Sequence, residues 1–372
     1  MINRQDNLGS EKRRAAIAAL AALVTVLSSW AFPSPALAQD PPKDYGIAAK
    51  RPVLQASCKH CPWGALGDIL KTIMAPAYDV AICYGCSGEN GARYVSKRLM
   101  SAEVSDRLFA QGVSTRPDAP VDFGITQSEY VRRAYEGSYG YKKDGPFTNL
   151  RLIARIESPA YLMVAVDKAS GITDLRQIRE RKMPVRIMMG PNAAMLHSVL
   201  EYYGITEKDV SDWGGMFLAG NALVKNPRFD VMLGTGVLSN YPEGNMWYEM
   251  SQKKELVFLQ IPEDLRQKLA KEHRGELVTL PFRYLRGLDD EPHPTVGVSG
   301  LFVYGRDDLP DQFVRDVASG LDEKRSLIKW ANQPFSYDPN TVWNGDGVPL
   351  HPAAARYYGE RGYMREVAGT SR

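Results

Sequence analysis

Four cysteines fall in two C-x-x-C pairs, Cys58/Cys61 and Cys83/Cys86, with 21 residues between them. Thiolates at this spacing can chelate one zinc ion as a tetrathiolate centre. They can equally pair as disulfides or take part in thiol–disulfide exchange. Pro62 and Ser87 follow the two pairs where c-type haem attachment would need histidine, so that cofactor is excluded. The five histidines are not spaced to share a metal, and no G-x-S-x-G, H-E-x-x-H or phosphate-loop motif occurs. The chain therefore reads as a binding protein, not an enzyme.

The first 38 residues read as an export address. Arg4, Lys12, Arg13 and Arg14 form a basic start, Ala15–Leu27 an apolar run, and Ala36-Leu37-Ala38 a small-x-small cleavage site. The run is shorter than the roughly 20 residues a spanning helix needs. Cleavage after Ala38 would release a periplasmic protein into an oxidising space, which favours disulfides over free thiols.

The chain has 372 residues, 44% hydrophobic and 24% charged, with a formal net charge of +3. That balance is globular and argues against nucleic acid as a partner. The length suggests about two domains. Apolar runs read as strands at Pro52–Ala56, Tyr78–Cys83, Val121–Ile125, Val185–Met189, Val231–Leu233, Leu256–Gln260 and Thr295–Tyr304, with two more in 149–166 broken at Ser158-Pro159. Helical spacing appears at Leu66/Ile69/Leu70/Ile73/Met74 and at Ala92/Val95/Leu99. Further helices are expected from Thr173 as N-cap to Arg181, up to Tyr203, from about Glu263, over Asp311–Trp330 and over Ala353–Gly362. Alternation of this kind predicts an α/β fold with mostly parallel sheets. Ligands of such sheets bind beyond the carboxyl ends of the strands, which points to the turns at 57–64, 84–90, 126–128, 190–195 and 234–240.

Several local motifs resemble the TAXI family, the solute-binding subunits of TRAP (tripartite ATP-independent periplasmic) transporters. Pro349-Leu350-His351-Pro352-Ala353-Ala354-Ala355-Arg356-Tyr357-Tyr358 is similar to the family's closing P-L-H-P-G-A-x-R-Y-Y. Val121–Glu129 resembles its D-x-G-x-x-Q-S-D strand end, and Asn149–Ala154 its N-L-R-x-I-A. Ser170-Gly171-Ile172 with Asp174-Leu175, and Ser87-Gly88-Glu89-Asn90, fall in the matching order. Two turns depart from the family: 57–64 is not Gly-rich, and 190–195 lacks the usual hydroxyls.

The resemblance implies a type II periplasmic-binding-protein-like fold, two lobes joined by hinge strands with a ligand cleft between them. Lobe one would comprise 45–157 plus 300–365, and lobe two 158–299. The chain would cross near Ile156–Leu162 and return near Val296–Val303. Implied ligand contacts are Lys59, Trp63, Gly64, Ser87, Asn90, Gln127 and Ser128 from lobe one. Lobe two would supply Asn192, Ala193, Met195, Thr235 and Gly236, with Glu157 and Tyr161 at the crossing. Lys59, His60 and Arg93 would give the mouth positive character for a carboxylate, and Met188, Met189 and Met195 an adaptable apolar wall. His197, His351, Tyr357 and Tyr358 are expected to be structural.

The two C-x-x-C pairs would follow neighbouring strands, which suggests cross-turn bridges from Cys58 or Cys61 to Cys83 or Cys86. Zinc held by the four cysteines is the alternative, on which the protein would be a cysteine-dependent metal or redox protein; otherwise no cofactor is expected. The implied partners are a small organic, carboxylate-bearing solute and the permease subunits of a TRAP transporter, and the receptor is expected to be a monomer. Export predicts that N-terminal sequencing of protein recovered from the periplasm begins at Gln39; a chain still carrying the segment 1–38 would refute the cleavage site.

Overall fold

The computed structural model describes residues 45–56, 62–84, 86, 89–99, 119–190, 193–219, 228–237, 246–281, 283, 285–288, 291–298, 300–330 and 336–364. The expected leader at 1–38 lies outside them. In chain order the elements are β1 (Val53–Gln55), α1 (Pro62–Met74), β2 (Ala81–Cys83), α2 (Glu89–Lys97), β3 (Phe123–Gln127), α3 (Ser128–Glu136) and β4 (Leu150–Ile156). Then come β5 (Ala160–Asp167), α4 (Arg176–Glu180), β6 (Arg186–Met189), α5 (Ala193–Tyr202), α6 (Glu207–Asp212), β7 (Met216–Ala219) and β8 (Val231–Val237). They are followed by α7 (Met246–Lys253), β9 (Leu256–Phe258), α8 (Glu263–His273), β10 (Glu276–Leu280), β11 (His293–Val298), β12 (Leu301–Arg306), α9 (Asp311–Glu323) and α10 (Pro352–Glu360).

The strands form two sheets. The first runs β2-β1-β3-β12-β4; the second runs β10-β11-β5-β8-β6-β7, with β9 also on β5. Both are mixed, not mostly parallel as expected. Only β1 with β2 and β3, and β6 with β7 and β8, pair in parallel. The strands on either side of the two crossings, β4/β12 and β5/β11, must pair antiparallel because one leaves each sheet where the other returns. The expected α/β fold of two sheet-based halves joined by extended crossings is what the structure shows.

Side-chain alternation sends each strand's residues to opposite faces. Leu301 and Val303 enter a core with Leu66, Leu70, Phe123, Phe313 and Tyr358; Phe302 and Tyr304 enter the core on the other face with Val95, Val131, Tyr141 and Leu150. In the second sheet Leu162, Val164 and Val166 face Leu196, Leu233 and Leu265, while Met163 and Ala165 face Met188, Met232 and Trp247. Phe313 anchors α9 edge-on between Tyr78 and Phe123, with centroids 5.2 and 5.1 Å away. Among the described residues no helix is long and apolar enough to cross a membrane.

Four local expectations are corrected. Gly234-Thr235-Gly236 is not a turn: β8 runs through it, paired with β5 along seven residues. The glycines are there because Trp247 packs against the strand; a Cβ at Gly236 would meet Trp247 Cδ1 at 3.0 Å. The run Thr295–Tyr304 is two strands in different sheets, broken at Gly300 (φ 104°). The helix expected from Thr173 starts at Arg176, with Thr173 Oγ1 accepting from Gln177 Nε2 at 3.0 Å. The helix from Asp311 ends at Glu323, and a 3₁₀ segment covers Arg325–Trp330.

The C-terminal signature is structural, as expected of His351, Tyr357 and Tyr358. His351 caps α10, its Nδ1 accepting from the amide of Ala353 at 3.2 Å. Tyr358 donates to the Ile153 carbonyl at 3.0 Å and Tyr357 to Asp322 at 2.9 Å, tying α10 to β4 and α9. His197, in contrast, stands half-exposed on α5. Burial, the leading cause, holds His351 and His293 below the usual imidazole value. The unfolded chain thus binds protons that the folded chain does not, and stability rises with pH across the histidine range. The melting temperature is expected to fall as pH drops from about 7 to about 5.5, below the unfolded value of about 6.5. His351→Asn, which keeps a cap acceptor but does not titrate, should flatten that slope in calorimetry; an unchanged slope would remove His351 from the account.

Candidate functional site

A narrow cleft, open to solvent and with about 20 Å³ of space for water-sized molecules, lies where the chain passes between the sheets. Its walls come from both halves. Trp63 projects from the first turn of α1. Gln127 ends β3, and Ser128 and Glu129 open α3. Ser158 lies in the first crossing, and Ala160, Val237 and Val298 end strands of the second sheet. Gly300 and Leu301 complete the lining at the return crossing.

The local sequence explains this meeting. β3 must stop at Gln127 because Ser128 starts a helix, with its amide donating to the Gly300 carbonyl at 3.0 Å. Gly300 takes a backbone conformation that only glycine adopts freely, and a Cβ there would crowd Arg155 Nε and Ser128 Oγ at 3.3 and 3.4 Å. The start of α3 thus opens onto the cleft, and the Gln127 side chain does not cap it.

Several buried polar atoms at the lining have no hydrogen-bond partner: Trp63 Nε1, Gln127 Oε1 and Ser158 Oγ. Leaving such a group unmade costs about 1–3 kcal/mol each. A small polar guest would satisfy a donor on Trp63, an acceptor on Gln127 and either role on Ser158. The lower wall is apolar (Ala160, Val237, Val298, Leu301), the mixture expected of a small-molecule pocket. Glu129 is the one charged lining residue among those described, and Arg133, one helical turn on, pairs with it.

Of the residues expected to bind ligand, Trp63, Gln127 and Ser128 line the cleft. Gly64 is buried in α1. Asn90 is exposed on α2 and accepts from Arg93, which in turn pairs with Asp144. Glu157 is held by Arg155 at 2.8 Å and by the Thr341 hydroxyl at 2.7 Å, and so pins the crossing strand. Tyr161 packs at the edge of the Met-rich core, where burial raises its phenol pKa and keeps it neutral. Met195 is fully buried in the second-sheet core, and Thr235 and Gly236 lie inside β8; they are placed by packing. Lys59, Ser87, Asn192 and the side chain of Ala193 lie outside the described residues, as do Cys58, His60 and Cys61.

The reading of the sequence missed Glu129, Ser158, Ala160, Val237, Val298, Gly300 and Leu301 as lining residues. The Ser158-Pro159 break and Gly300 were their signal, since both mark where an apolar run changes sheets.

Cys83 and Cys86 are bonded to each other, at a Cα separation of 5.8 Å. This overturns the cross-turn bridge to Cys58 or Cys61. The physical reason is local: Cys83 ends β2 and the chain turns at Tyr84, which brings the third residue onward back to the strand end. Two of the four thiolates that the zinc alternative needs are consumed by that bond. Among the described residues no group of three or more His, Cys, Asp and Glu could hold a metal ion.

The profile of the NMT1-like family matches residues 115–362. Among solved structures the chain is similar to MatC from Rhodopseudomonas palustris with bound malate, at 10% identity over 83% of this chain and 96% of that one, TM-score 0.44. It is similar to a binding protein component of an ABC phosphonate transporter from Pseudomonas aeruginosa, at 11% identity over 77% and 79%, TM-score 0.41. A third is an ABC uptake transporter substrate binding protein from Streptococcus pneumoniae with bound histidine, at 11% identity over 81% and 95%, TM-score 0.37.

The bond within the pair predicts the result of non-reducing peptide mapping. The tryptic peptide Thr72–Arg93 should run about 2 Da lighter than after reduction, without a second peptide attached. Recovery of that peptide joined to one containing Cys58 or Cys61 would contradict the pairing.

Proposed function

The chain belongs to the NMT1-like family, and from that premise and the cleft we propose that it is an extracytoplasmic solute receptor. It captures a small organic solute bearing a carboxylate and hands it to a membrane permease of the TRAP type, driven by an ion gradient. It does so as a monomer and without chemistry on the solute. The observation that carries this reading is the set of buried, unpartnered polar atoms of Trp63, Gln127 and Ser158, gathered on an open cleft whose walls come from both sheets. The opening turn of α3 adds backbone N–H groups and the positive end of a helix dipole, which suit a carboxylate. The motif order of the TAXI family supports the TRAP assignment.

Calorimetric titration of the mature protein against mono- and dicarboxylates, after native mass spectrometry has identified any co-purified solute, tests the reading. Binding at one site per monomer is expected. Trp63→Phe, which removes the indole donor, should weaken it about tenfold, the equivalent of one lost hydrogen bond of about 1.4 kcal/mol. Asn90→Ala, on the exposed network of α2, should leave it unchanged. Binding only to cations or neutral sugars would reject the carboxylate, and the absence of any bound small molecule would reject the receptor.

A further inference from the structure

Beside the cleft, a chain of side chains runs from one half of the molecule to the other. It begins at Glu129, which lines the cleft from α3, and passes to Arg133 on the next turn. Arg133 Nη2 lies 3.0 Å from Nδ1 of His273, the last residue of α8 in the second half. His273 Nε2 lies 3.2 Å from Ser198 Oγ on α5, and Ser198 Oγ donates to the Ala194 carbonyl in the first turn of that helix at 3.2 Å. The side chains of Glu129, Arg133 and His273 are 6, 3 and 0% exposed.

The chemistry fixes the direction of each bond. Arginine has donors only, so Nδ1 of His273 accepts and its proton sits on Nε2. That N–H donates to Ser198, whose own proton goes on to the carbonyl. The imidazole is thus used at both nitrogens, by two helices from different parts of the fold. Glu129 Oε1 lies 3.5 Å from Nδ1 and balances the guanidinium. The Tyr139 ring stacks on Arg133, with the guanidinium carbon 4.0 Å from its centroid, and closes the seam from the first half. Around this core Arg274 reaches Glu136 at 3.1 Å and the Asp346 carbonyl at 3.0 Å, while Arg132 pairs with Asp346 at 2.8 Å.

We infer that His273 is a latch residue: a positioning residue that holds the two halves together over the cleft and, through Arg133, sets the Glu129 carboxylate on the cleft wall. The two backbone crossings permit the halves to separate, and the relay is the buried part of the polar contact that separation must break, beside the more exposed pairs of Arg274 with Glu136 and Asp346. It couples the openings of the two helices α3 and α5, because each end of the relay lies in a first turn. Parting the halves would take the acceptor from Arg133 and bring a wholly buried imidazole into water. Arg133 would then be free to shift, and the Glu129 carboxylate paired with it would shift too. The inference deepens the receptor reading in its ligand arm; its scattering arm stands without any ligand.

The test uses the full mature chain. Small-angle scattering of ligand-free wild type, His273→Phe and His273→Asn is compared at one pH. Phenylalanine keeps the ring and removes both nitrogens, and its curve should shift to a larger radius of gyration. Asparagine keeps an acceptor near Nδ1 and should return the curve to that of the wild type. A wild-type curve for the phenylalanine variant, or an asparagine variant as open as it, would overturn the latch. If the phenylalanine variant does not fold, Ser198→Ala cuts the relay from the far side. Amide exchange at the end of α8 and the start of α5 should then quicken at least tenfold, and unchanged exchange would overturn the inference. With a solute in hand from mass spectrometry, His273→Phe should raise its dissociation rate about tenfold with little change in association; equal dissociation rates would refute the latch while leaving the receptor reading intact.

Discussion

The constraint on which the molecule depends is the pairing of its two crossings. The chain leaves the first sheet after Ile156 and returns to it at Leu301, and these residues are register partners in β4 and β12. It enters the second sheet at Ala160 and leaves it after Val298, which are partners in β5 and β11. Both passages therefore run side by side and are clamped by ladders at each end. Everything that lines the cleft sits within a few residues of these clamps or on a helix that starts beside them. The halves can turn about the short uncovered links without giving up either sheet.

The uncovered links must still satisfy their backbone groups, since orphaned buried N–H groups are rare. The C-terminal segment supplies partners. Ser336 accepts from the amide of Glu157 at 2.7 Å, Val342 from that of Arg155 at 2.7 Å, and Pro349 from that of Leu152 at 2.9 Å. An outer strand that would otherwise be open to pairing with another chain is thereby covered along its length. This explains why the closing signature of the sequence, far from the cleft, matters to it. His351 and Tyr358 fasten α10 behind β4, and so hold the segment that sheathes the hinge.

Much of the fold was legible because burial imposes periodicity. The helix of Leu66, Leu70 and Ile73, the break at Ser158-Pro159 and the stop at Gly204 all follow from local patterns that tertiary packing had no reason to override. What failed had physical causes. Gly234-Thr235-Gly236 looks like a turn, but Trp247, from the helix that follows the strand, lies across it. The α3 helix was invisible because its inward positions include Glu129 and Arg133, charged residues that are buried only because they pair. For the same reason the site was half legible: Trp63, Gln127 and Ser128 sit at a strand or helix end and could be named. The residues contributed by the crossings could not, because a crossing is defined by two strands that meet only after folding. Met195 shows the converse error, since a methionine beside a pocket turn is also what a packed core uses.

The disulfide shows how local geometry wins over an attractive long-range pattern. Gln55 and Cys83 are register partners in β1 and β2, so the ends of these strands are already held by the sheet. A bridge across the turns would have closed a longer loop and so restricted the unfolded chain more. A bridge of sequence separation three constrains the unfolded chain very little, because the entropy removed grows with loop length. Its effect is therefore on shape. It fixes the path by which the chain leaves β2 and enters α2, one strand away from the β1 end that leads into α1 and Trp63.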